Sequence, residues 1–263
     1  MTTKKGGPFR TADLALAAGI HVNTVRLYEE WGFIAPADRA PNGYRLWTVD
    51  HLDQIVFARR ALHGEWPGGS IRKSALALVR LAATGDLRAA AAAAQDHRDL
   101  VRKERARAEE AASFLEAWAN GEILGHFGGP SASNEGGETD FRLGPKEAAA
   151  AVDATCDQVR NWERNRLLDT PRDATGKRYY GGFELGRLRV IRTLLLAGYS
   201  VMAILRMTGE LDRGRTTGLR EILDTPRSGE EALTAFDRWL SSLEGQEARA
   251  EEIIALLENR LRR

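Results

Sequence analysis

The chain of 263 residues contains the same block of sequence twice. Residues 23–34 return in altered form at residues 157–168, with a valine, an arginine, an aromatic residue and a glutamate in register. Further copied segments follow in the same order, and residues 106–110 return unchanged at residues 248–252. The repeated unit is therefore a whole domain. Because a two-fold repeat is the sequence form of a dimer, the chain is restricted to folds that join two similar halves.

Composition narrows the class of protein. The length allows about two domains, and the abundant alanine and helical periodicity predict a mainly helical fold. The only cysteine is Cys156, so no disulfide can form within the chain and a reducing compartment is expected. No uncharged run approaches the roughly 18 residues needed to cross a bilayer, and residues 1–8 lack the apolar segment of a signal peptide. We expect a cytoplasmic protein without membrane attachment.

Charge is distributed unevenly along the chain. Residues 1–80 contain 11 Lys and Arg against 7 Asp and Glu, and residues 141–220 contain 15 against 9. Residues 230–263 are acidic, with 5 against 8. The basic excess coincides with the two copies of the repeated block, which favours a polyanionic partner.

Each half begins with the pattern of a winged helix-turn-helix. In the first half we predict a helix over residues 11–18 and a second over residues 23–31, each followed by a glycine. A loop then leads to residues 43–47, which read as a short strand, and a third helix begins near Val49. The same order is predicted in the second half.

The turn glycines Gly19 and Gly32 are replaced in the second half by Asp153 and Arg166. Asparagine adopts the left-handed conformation more readily than most residues. We therefore expect Asn165, just before Arg166, to take that conformation and end the second helix.

Each half ends in a segment with a heptad repeat, which predicts a coiled coil. The heptad positions of the second segment carry large apolar residues, and those of the first are rich in alanine. The first segment should therefore accept the larger side chains of the second. We expect Gly245 to kink or break the second helix. The heptad positions are Phe236, Leu243, Ala250 and Leu257, matched in the first half by Ala94, Val101, Ala108 and Leu115.

A helix-turn-helix with a wing holds one helix in the DNA major groove while the wing contacts the backbone. Arg26 and Arg160 lie on the helix face that would enter the groove, where a guanidinium can bind guanine edges or phosphates. Tyr28 can donate its hydroxyl to a phosphate, whereas Trp162 offers only an indole N–H. The residues at the start of the helices are placed to contact bases: Asn23, Thr24, Asp157 and Gln158.

The first 80 residues resemble the DNA-binding domain of the MerR family of transcription regulators. The family pattern stands here as Thr24-Val25-Arg26-Leu27-Tyr28-Glu29, then Gly32, Pro36 and Arg39, and finally Gly43-Tyr44-Arg45-Leu46-Trp47. The second half is similar but departs from the pattern at Asn161, Trp162, Arg166 and Lys177.

The resemblance implies a mainly α fold with two winged helix-turn-helix domains. Each would be followed by a long helix, and the two long helices would pair as an antiparallel coiled coil with pseudo-two-fold symmetry. The expected segments are a first winged domain at 8–82, a first coil helix at 86–122, a flexible linker at 124–140, a second winged domain at 141–212 and a second coil helix at 229–263.

Family members are homodimers that bind promoters and, as activators, distort the DNA for RNA polymerase. By resemblance we expect a sequence-specific regulator, folded as a single-chain pseudo-dimer rather than a homodimer. Its partners would be double-stranded promoter DNA and RNA polymerase, and the sequence identifies no small-molecule effector. The DNA contacts expected are Thr11, Asn23, Thr24, Arg26, Leu27, Tyr28, Arg39, Tyr44, Arg45, Gln158, Arg160, Asn161, Trp162, Arg164, Lys177 and Arg178.

Two alternatives remain open at this point. One is an architectural DNA-binding protein of low specificity, and the other is an interaction protein whose second domain docks a protein partner. An enzyme is not expected, because no nucleophile motif, phosphate loop or catalytic pair is present. Glu29 and Glu163 are interpreted as partners of nearby arginines and Cys156 as a small buried residue. Packing is favoured over a small-molecule pocket for Trp66, Trp118 and Trp239.

No cofactor or metal is expected. Metal-sensing relatives place cysteines at the ends of the pairing helix, and this chain has none there. The five histidines form no pair at metal-ligand spacing.

Overall fold

A computed structural model describes residues 9–64, 69–123, 142–226 and 235–262. The fold is mainly helical, as predicted, and divides into two compact units. The first unit contains Met1–Arg102 and Gly245–Arg263, and the second contains Lys103–Glu244. Both boundaries fall inside long helices. The predicted linker at 124–140 lies outside the described residues.

The first unit contains a helix-turn-helix, a two-stranded wing and two further helices before the long helix α5. The wing strands β1 and β2 pair antiparallel, with Arg39 opposite Arg45. The elements are α1 (Thr11–Ala18), α2 (Val22–Glu30), β1 (Asp38–Arg39), β2 (Arg45–Leu46), α3 (Val49–Leu62), α4 (Gly69–Ala83) and α5 (Leu87–Ala119), whose second part belongs to the second unit.

The second unit repeats this order of helices, with a single bridge between Arg172 and Arg178 in place of the two paired strands. It also adds a short helix, α10, that the sequence did not predict. The α-helical part of the second coil helix begins at Trp239, whereas the prediction began at residue 229. Residues 229–234 lie outside the described part of the chain. The elements are α6 (Pro145–Ala151), α7 (Cys156–Arg164), α8 (Gly182–Leu196), α9 (Val201–Leu211), α10 (Leu219–Asp224), a 3-10 turn (Ala235–Arg238) and α11 (Trp239–Leu261), which continues into the first unit.

The helix-turn-helix of the first unit surrounds its own small core. Leu14 and Val25 face each other across the turn, and Ile34, Trp47 and Ile55 complete a cluster in which every one of these five side chains is at most 1% exposed. The core therefore joins both helices of the motif to the wing and to α3, so that the motif and wing form one body.

The helix ends of the motif are conserved in conformation although the glycines are not. Gly19 and Gly32 have φ values of 62° and 70°, and their counterparts Asp153 and Arg166 have 52° and 60°. The expectation for Asn165 was wrong, because its φ is −83° and Arg166 takes the left-handed conformation instead. A left-handed non-glycine residue costs about 1–2 kcal/mol, so the surrounding packing must impose it.

That packing is visible around the end of α7. Leu167 N–H donates to Trp162 O at 3.0 Å and Arg166 N–H donates to Glu163 O at 2.9 Å. These two bonds form a Schellman motif, in which the residue after the cap must be left-handed. Leu167 is fully buried, which fixes the register of the turn independently of the residue at position 166.

The two long helices pair within the first unit. Ala90 and Ala94 of α5 share a buried cluster with Ile253, Ile254 and Leu257 of α11. Small residues on α5 thus receive large residues from α11, as the heptad pattern predicted.

Ion pairs give the direction of the pairing. Arg102 binds Glu247 and Glu251, each at 2.7 Å, and in the second unit Arg105 lies 3.7 Å from Glu244. Residue numbers rise along α5 as they fall along α11, so the helices run antiparallel. The helix α11 is continuous through Gly245, and the expected break is absent.

Trp118 and Trp239 are buried packing residues in the second unit, as favoured from the sequence, and Trp66 lies outside the described residues. Trp118 stacks on Phe183 with ring centroids 5.8 Å apart, and the Trp239 indole N–H donates to Ala197 O at 2.8 Å. No helix in the described part of the chain is long and apolar enough to cross a membrane.

Candidate DNA interface

The exposed side of α2 carries the polar residues predicted to contact bases. Asn23 and Arg26 are exposed, Thr24 is half-buried, and Leu27 is 38% exposed. Within the described residues, Arg26 has neither an ion pair nor a hydrogen bond, and its guanidinium extends into solvent. A cation on this face without an intramolecular acid is available to a phosphate or a base edge.

A partly buried ion pair joins α2 to the wing. Glu29 Oε2 lies 2.7 Å from Arg45 Nε, and the other carboxylate oxygen accepts a hydrogen bond from Ala37 N–H at 3.0 Å. The interpretation of Glu29 as an arginine partner is confirmed. Arg45, predicted as a DNA contact, is therefore held by the protein through Nε, and its position fixes β2 against α2.

The tip of the first wing is a closed turn. Arg39 Nη1 donates to Gly43 O at 3.2 Å, and Asn42 Oδ1 accepts from Tyr44 N–H at 3.2 Å. The Tyr44 side chain is 73% exposed at this tip. The turn thus presents one arginine and one tyrosine at the edge of the wing.

Tyr28 and Thr11 are less accessible than the sequence implied. Tyr28 packs in an edge-on contact with Phe33, with centroids 5.5 Å apart, and burial raises the pKa of its hydroxyl, with Arg59 acting in the opposite direction. Thr11 Oγ1 accepts a hydrogen bond from the Trp47 indole at 3.1 Å. Both side chains are half-buried and support the motif as well as bordering its exposed face.

The recognition helix α7 of the second unit differs from α2 in the charges on its exposed face. Arg160 Nη1 lies 3.2 Å from Asp157 Oδ1, and the Asp157 side chain is 89% exposed. Gln158 is engaged in a capping box, because Thr155 N–H donates to its Oε1 at 2.8 Å. The face that corresponds to Arg26 therefore carries an internal ion pair and an exposed carboxylate.

The structure places Trp162 in the core of the second unit, with only 5% of its surface exposed. An indole in that position packs against the turn and has no open path to a phosphate. We therefore remove Trp162 from the proposed DNA contacts. Its neighbours Asn161 and Arg164 remain exposed on the same helix.

Glu163 is the centre of a polar cluster that corresponds to that of Glu29. Its Oε2 lies 3.1 Å from Arg178 Nε, and its Oε1 accepts hydrogen bonds from Tyr180 OH at 2.8 Å and Thr170 Oγ1 at 2.6 Å. Burial raises the pKa of Tyr180 to about 12. The interpretation of Glu163 as an arginine partner is confirmed, and both units use the same device to hold wing and helix together.

The second wing closes in the same way as the first. Arg172 pairs with Arg178 across the wing and donates from Nη1 to Gly176 O at 2.8 Å. Lys177 is exposed at the tip, where the first wing has Tyr44. Arg172 is not among the DNA contacts predicted from the sequence, although its alignment with Arg39 in the repeat was a signal that could have found it.

The remaining predictions concern cysteine and metal sites. Cys156 is half-buried, less than expected, with its thiol 3.9 Å from Pro145 O. His97 is buried beside Ser74 Oγ at 3.1 Å, and burial lowers its pKa. Among the described residues no group of His, Cys, Asp and Glu is arranged to hold a metal ion.

Comparison with known families agrees with this geometry. Residues 10–47 match the model of the MerR family regulatory protein, and residues 145–210 match that of the MerR HTH family regulatory protein. Both segments are MerR-family domains. The two matches cover the two helix-turn-helix motifs separately, so the chain carries two MerR domains in tandem.

Curated relatives match over segments of about 50 residues. The HTH-type transcriptional regulator CueR of Escherichia coli is 38% identical over 50 residues, which cover 19% of this chain and 37% of that protein. The mercuric resistance operon regulatory protein of Bacillus cereus is 35% identical over 52 residues, 20% of this chain and 39% of that protein. The chain thus spans less than two fifths of the length of these relatives. No solved structure matches the chain.

Proposed function

We propose that this chain is a sequence-specific transcriptional regulator that binds promoter DNA with two non-identical heads. The first head consists of α1–α4 with its wing, and the second head consists of α6–α9 with its wing. One chain supplies both heads and both pairing helices, and it acts as a single-chain pseudo-dimer.

The observation that carries the proposal is the repeated ion pair between recognition helix and wing. Glu29–Arg45 and Glu163–Arg178 occupy equivalent places in the two heads. Each pair fixes the distance between the two elements that a winged helix-turn-helix applies to the groove and to the backbone. The exposed Arg26 adds a side chain suited to base edges.

The heads differ on the surface that would contact bases. Arg26 is unpaired within the described residues, whereas Arg160 is paired with Asp157. Because protein symmetry sets operator symmetry, the proposed operator has dissimilar half-sites. Distortion of the promoter and contact with RNA polymerase belong to the same proposal, by analogy with the family.

The test is a selection of duplexes from a randomised pool, followed by titration of the selected site. Arg26→Ala should weaken binding by about 1–3 kcal/mol and relax specificity in one half-site. Arg26→Lys serves as the matched control, since it keeps the charge and loses the bidentate geometry. Failure of the wild-type chain to enrich any sequence would overturn specific regulation and favour an architectural role.

A second variant tests the alternative in which the second domain docks a protein partner instead of DNA. If Arg160→Ala leaves DNA affinity unchanged while Arg26→Ala lowers it, base reading is confined to the first head. Strong preference for a symmetric site would contradict the proposal of unequal heads. Light scattering of the purified chain would measure whether one chain or two form the active species.

A further inference from the structure

The second wing borders a basic depression that the sequence did not indicate. It has a volume of about 520 Å³ and includes Arg142, Arg172, Lys177 and Arg178, with Asp173 as the only acidic side chain in its described lining. The ring of Tyr179 forms part of the wall, and the Arg142 guanidinium lies 4.6 Å from the centre of that ring. A cation on an aromatic face is held in place without losing its charge.

The single carboxylate of the depression is occupied by the turn beneath it. Asp173 Oδ1 accepts hydrogen bonds from Thr175 Oγ1 at 2.7 Å, Thr175 N–H at 2.8 Å and Lys177 N–H at 3.0 Å. The hydrogen bond from the Thr175 hydroxyl is the main cause of a lowered pKa for this carboxyl. Asp173 therefore shapes the turn that carries Lys177. The depression has four cations, of which Arg178 is paired with Glu163.

The cations are of the types that bind anions. Arg172 uses one N–H for Gly176 O, and a guanidinium has five N–H donors in a planar fork. Lys177 is exposed and has no ion pair within the described residues. Planar forks and ammonium groups together are the usual ligands of phosphate oxygens in proteins.

The first wing lacks this arrangement. In the repeat, Phe9 and Leu143 pair with Trp47 and Tyr180 respectively, so the residue that corresponds to Arg142 is Pro8. Tyr44 stands where the second wing has Lys177. The two additional cations are therefore specific to the second head.

We propose that Arg142, Arg172 and Lys177 form a phosphate-binding site for the DNA backbone, and that this site anchors the second head without reading sequence. The inference rests on the proposed function and states what the second head contributes, namely attachment to the backbone without base reading. The second recognition helix presents an exposed carboxylate and a paired arginine, so the wing supplies the attraction. Phosphate contacts fix position and affinity but carry no base information.

The experiment compares a double variant, Arg142→Gln with Lys177→Gln, against a control with the same change in charge, Arg213→Gln with Arg215→Gln. The control residues are exposed on the second unit and do not line the depression. DNA affinity is measured by fluorescence anisotropy from 50 to 200 mM salt, on the selected duplex and on an unrelated one.

Each lost phosphate contact should reduce the slope of log affinity against log salt by about 0.9. For two contacts, the loss of affinity across this four-fold change in salt should become about 12-fold smaller than in the wild type. Both duplexes should lose affinity equally, so the specificity ratio is unchanged. An unchanged slope, or a fall in the ratio, would overturn the inference.

A separate measurement keeps the two proposals distinguishable. If the wild-type chain binds no duplex, the proposed function fails, and retention on a heparin column tests the anion site alone. Elution of the double variant at lower salt than the control would uphold the site. Elution of the two at the same salt would refute it.

Discussion

The ion pair between Glu29 and Arg45 offers the sharpest test of how the first head is built. We consider Glu29→Gln, Arg45→Gln and the double variant. The glutamine amide oxygen can still accept the hydrogen bond from Ala37 N–H, so only the interaction with Arg45 is removed. In its place an amide nitrogen faces a guanidinium nitrogen, and two donors are opposed.

The magnitude follows from the geometry and the exposure of the pair. A hydrogen bond to a charged group contributes about 1.5–3 kcal/mol to stability. The side chains are 15% and 29% exposed, so solvent screens part of this and the lower end applies. We therefore expect Glu29→Gln to lower the free energy of unfolding by about 1.5–2 kcal/mol, with a coupling energy to Arg45 of similar size.

The assay is urea unfolding of the four proteins in a double-mutant cycle, with Glu30→Gln as the control. Glu30 is the exposed neighbour on the same helix and has no partner within the described residues. Its substitution should change stability by less than about 0.5 kcal/mol. A coupling energy between Glu29 and Arg45 within about 0.3 kcal/mol of zero would refute the reasoning. DNA affinity should fall in parallel, because the wing loses its fixed distance from the helix.

Three further changes test separate features. Gly198→Ala should lower the free energy of unfolding by about 3 kcal/mol, whereas Gly176→Ala should lower it by about 1 kcal/mol. Both glycines have positive φ, but only at Gly198 would the new Cβ meet another side chain, that of Trp239 at 2.5 Å. Chemical denaturation measures the difference, and equal effects would count against the clash. Arg166→Gly should raise stability by about 0.5–1 kcal/mol, since glycine relieves the left-handed strain and loses part of that gain to unfolded-state entropy; a loss in thermal unfolding experiments would contradict this. Because the pKa of Tyr180 is raised from 10 to about 12, its contribution to stability is full below pH 10 and should be lost between pH 10 and 12. Tyr180→Phe should abolish that loss. An absorbance titration should show that the Tyr180 hydroxyl ionises at higher pH than a free tyrosine.

The repeat allowed much of the fold to be predicted. The bounds of α1, the wing and the pairing of alanine with larger residues follow from periodicity and from comparison of the copies. The partners of Glu29 and Glu163 could be anticipated because each glutamate precedes a wing arginine by a similar interval, 16 residues to Arg45 and 15 to Arg178. These features depend on local spacing, which a sequence displays directly.

Other features depend on packing that spacing does not display. Trp162 aligns with Tyr28, yet a larger indole without a hydroxyl is turned into the core. Asn165 has the better propensity for a left-handed turn, but the burial of Leu167 fixes the turn one residue later. The basic depression needed the backbone bridge between Leu143 and Tyr180 to bring Arg142 beside the wing. Each depends on tertiary register, which overrides local preference.

The division of the chain into units has a consequence for its synthesis. The core of the first unit includes Ile253, Ile254 and Leu257, which leave the ribosome after the whole second unit. Until then Ala90 and Ala94 lack their contacts with α11 and pack only beside α3 and α4. Domains usually complete their folding in order from the N-terminus during translation. Here the domain that is made first can be completed only last, so its apolar surface on α4 and α5 stays open to chaperones while the rest of the chain is translated.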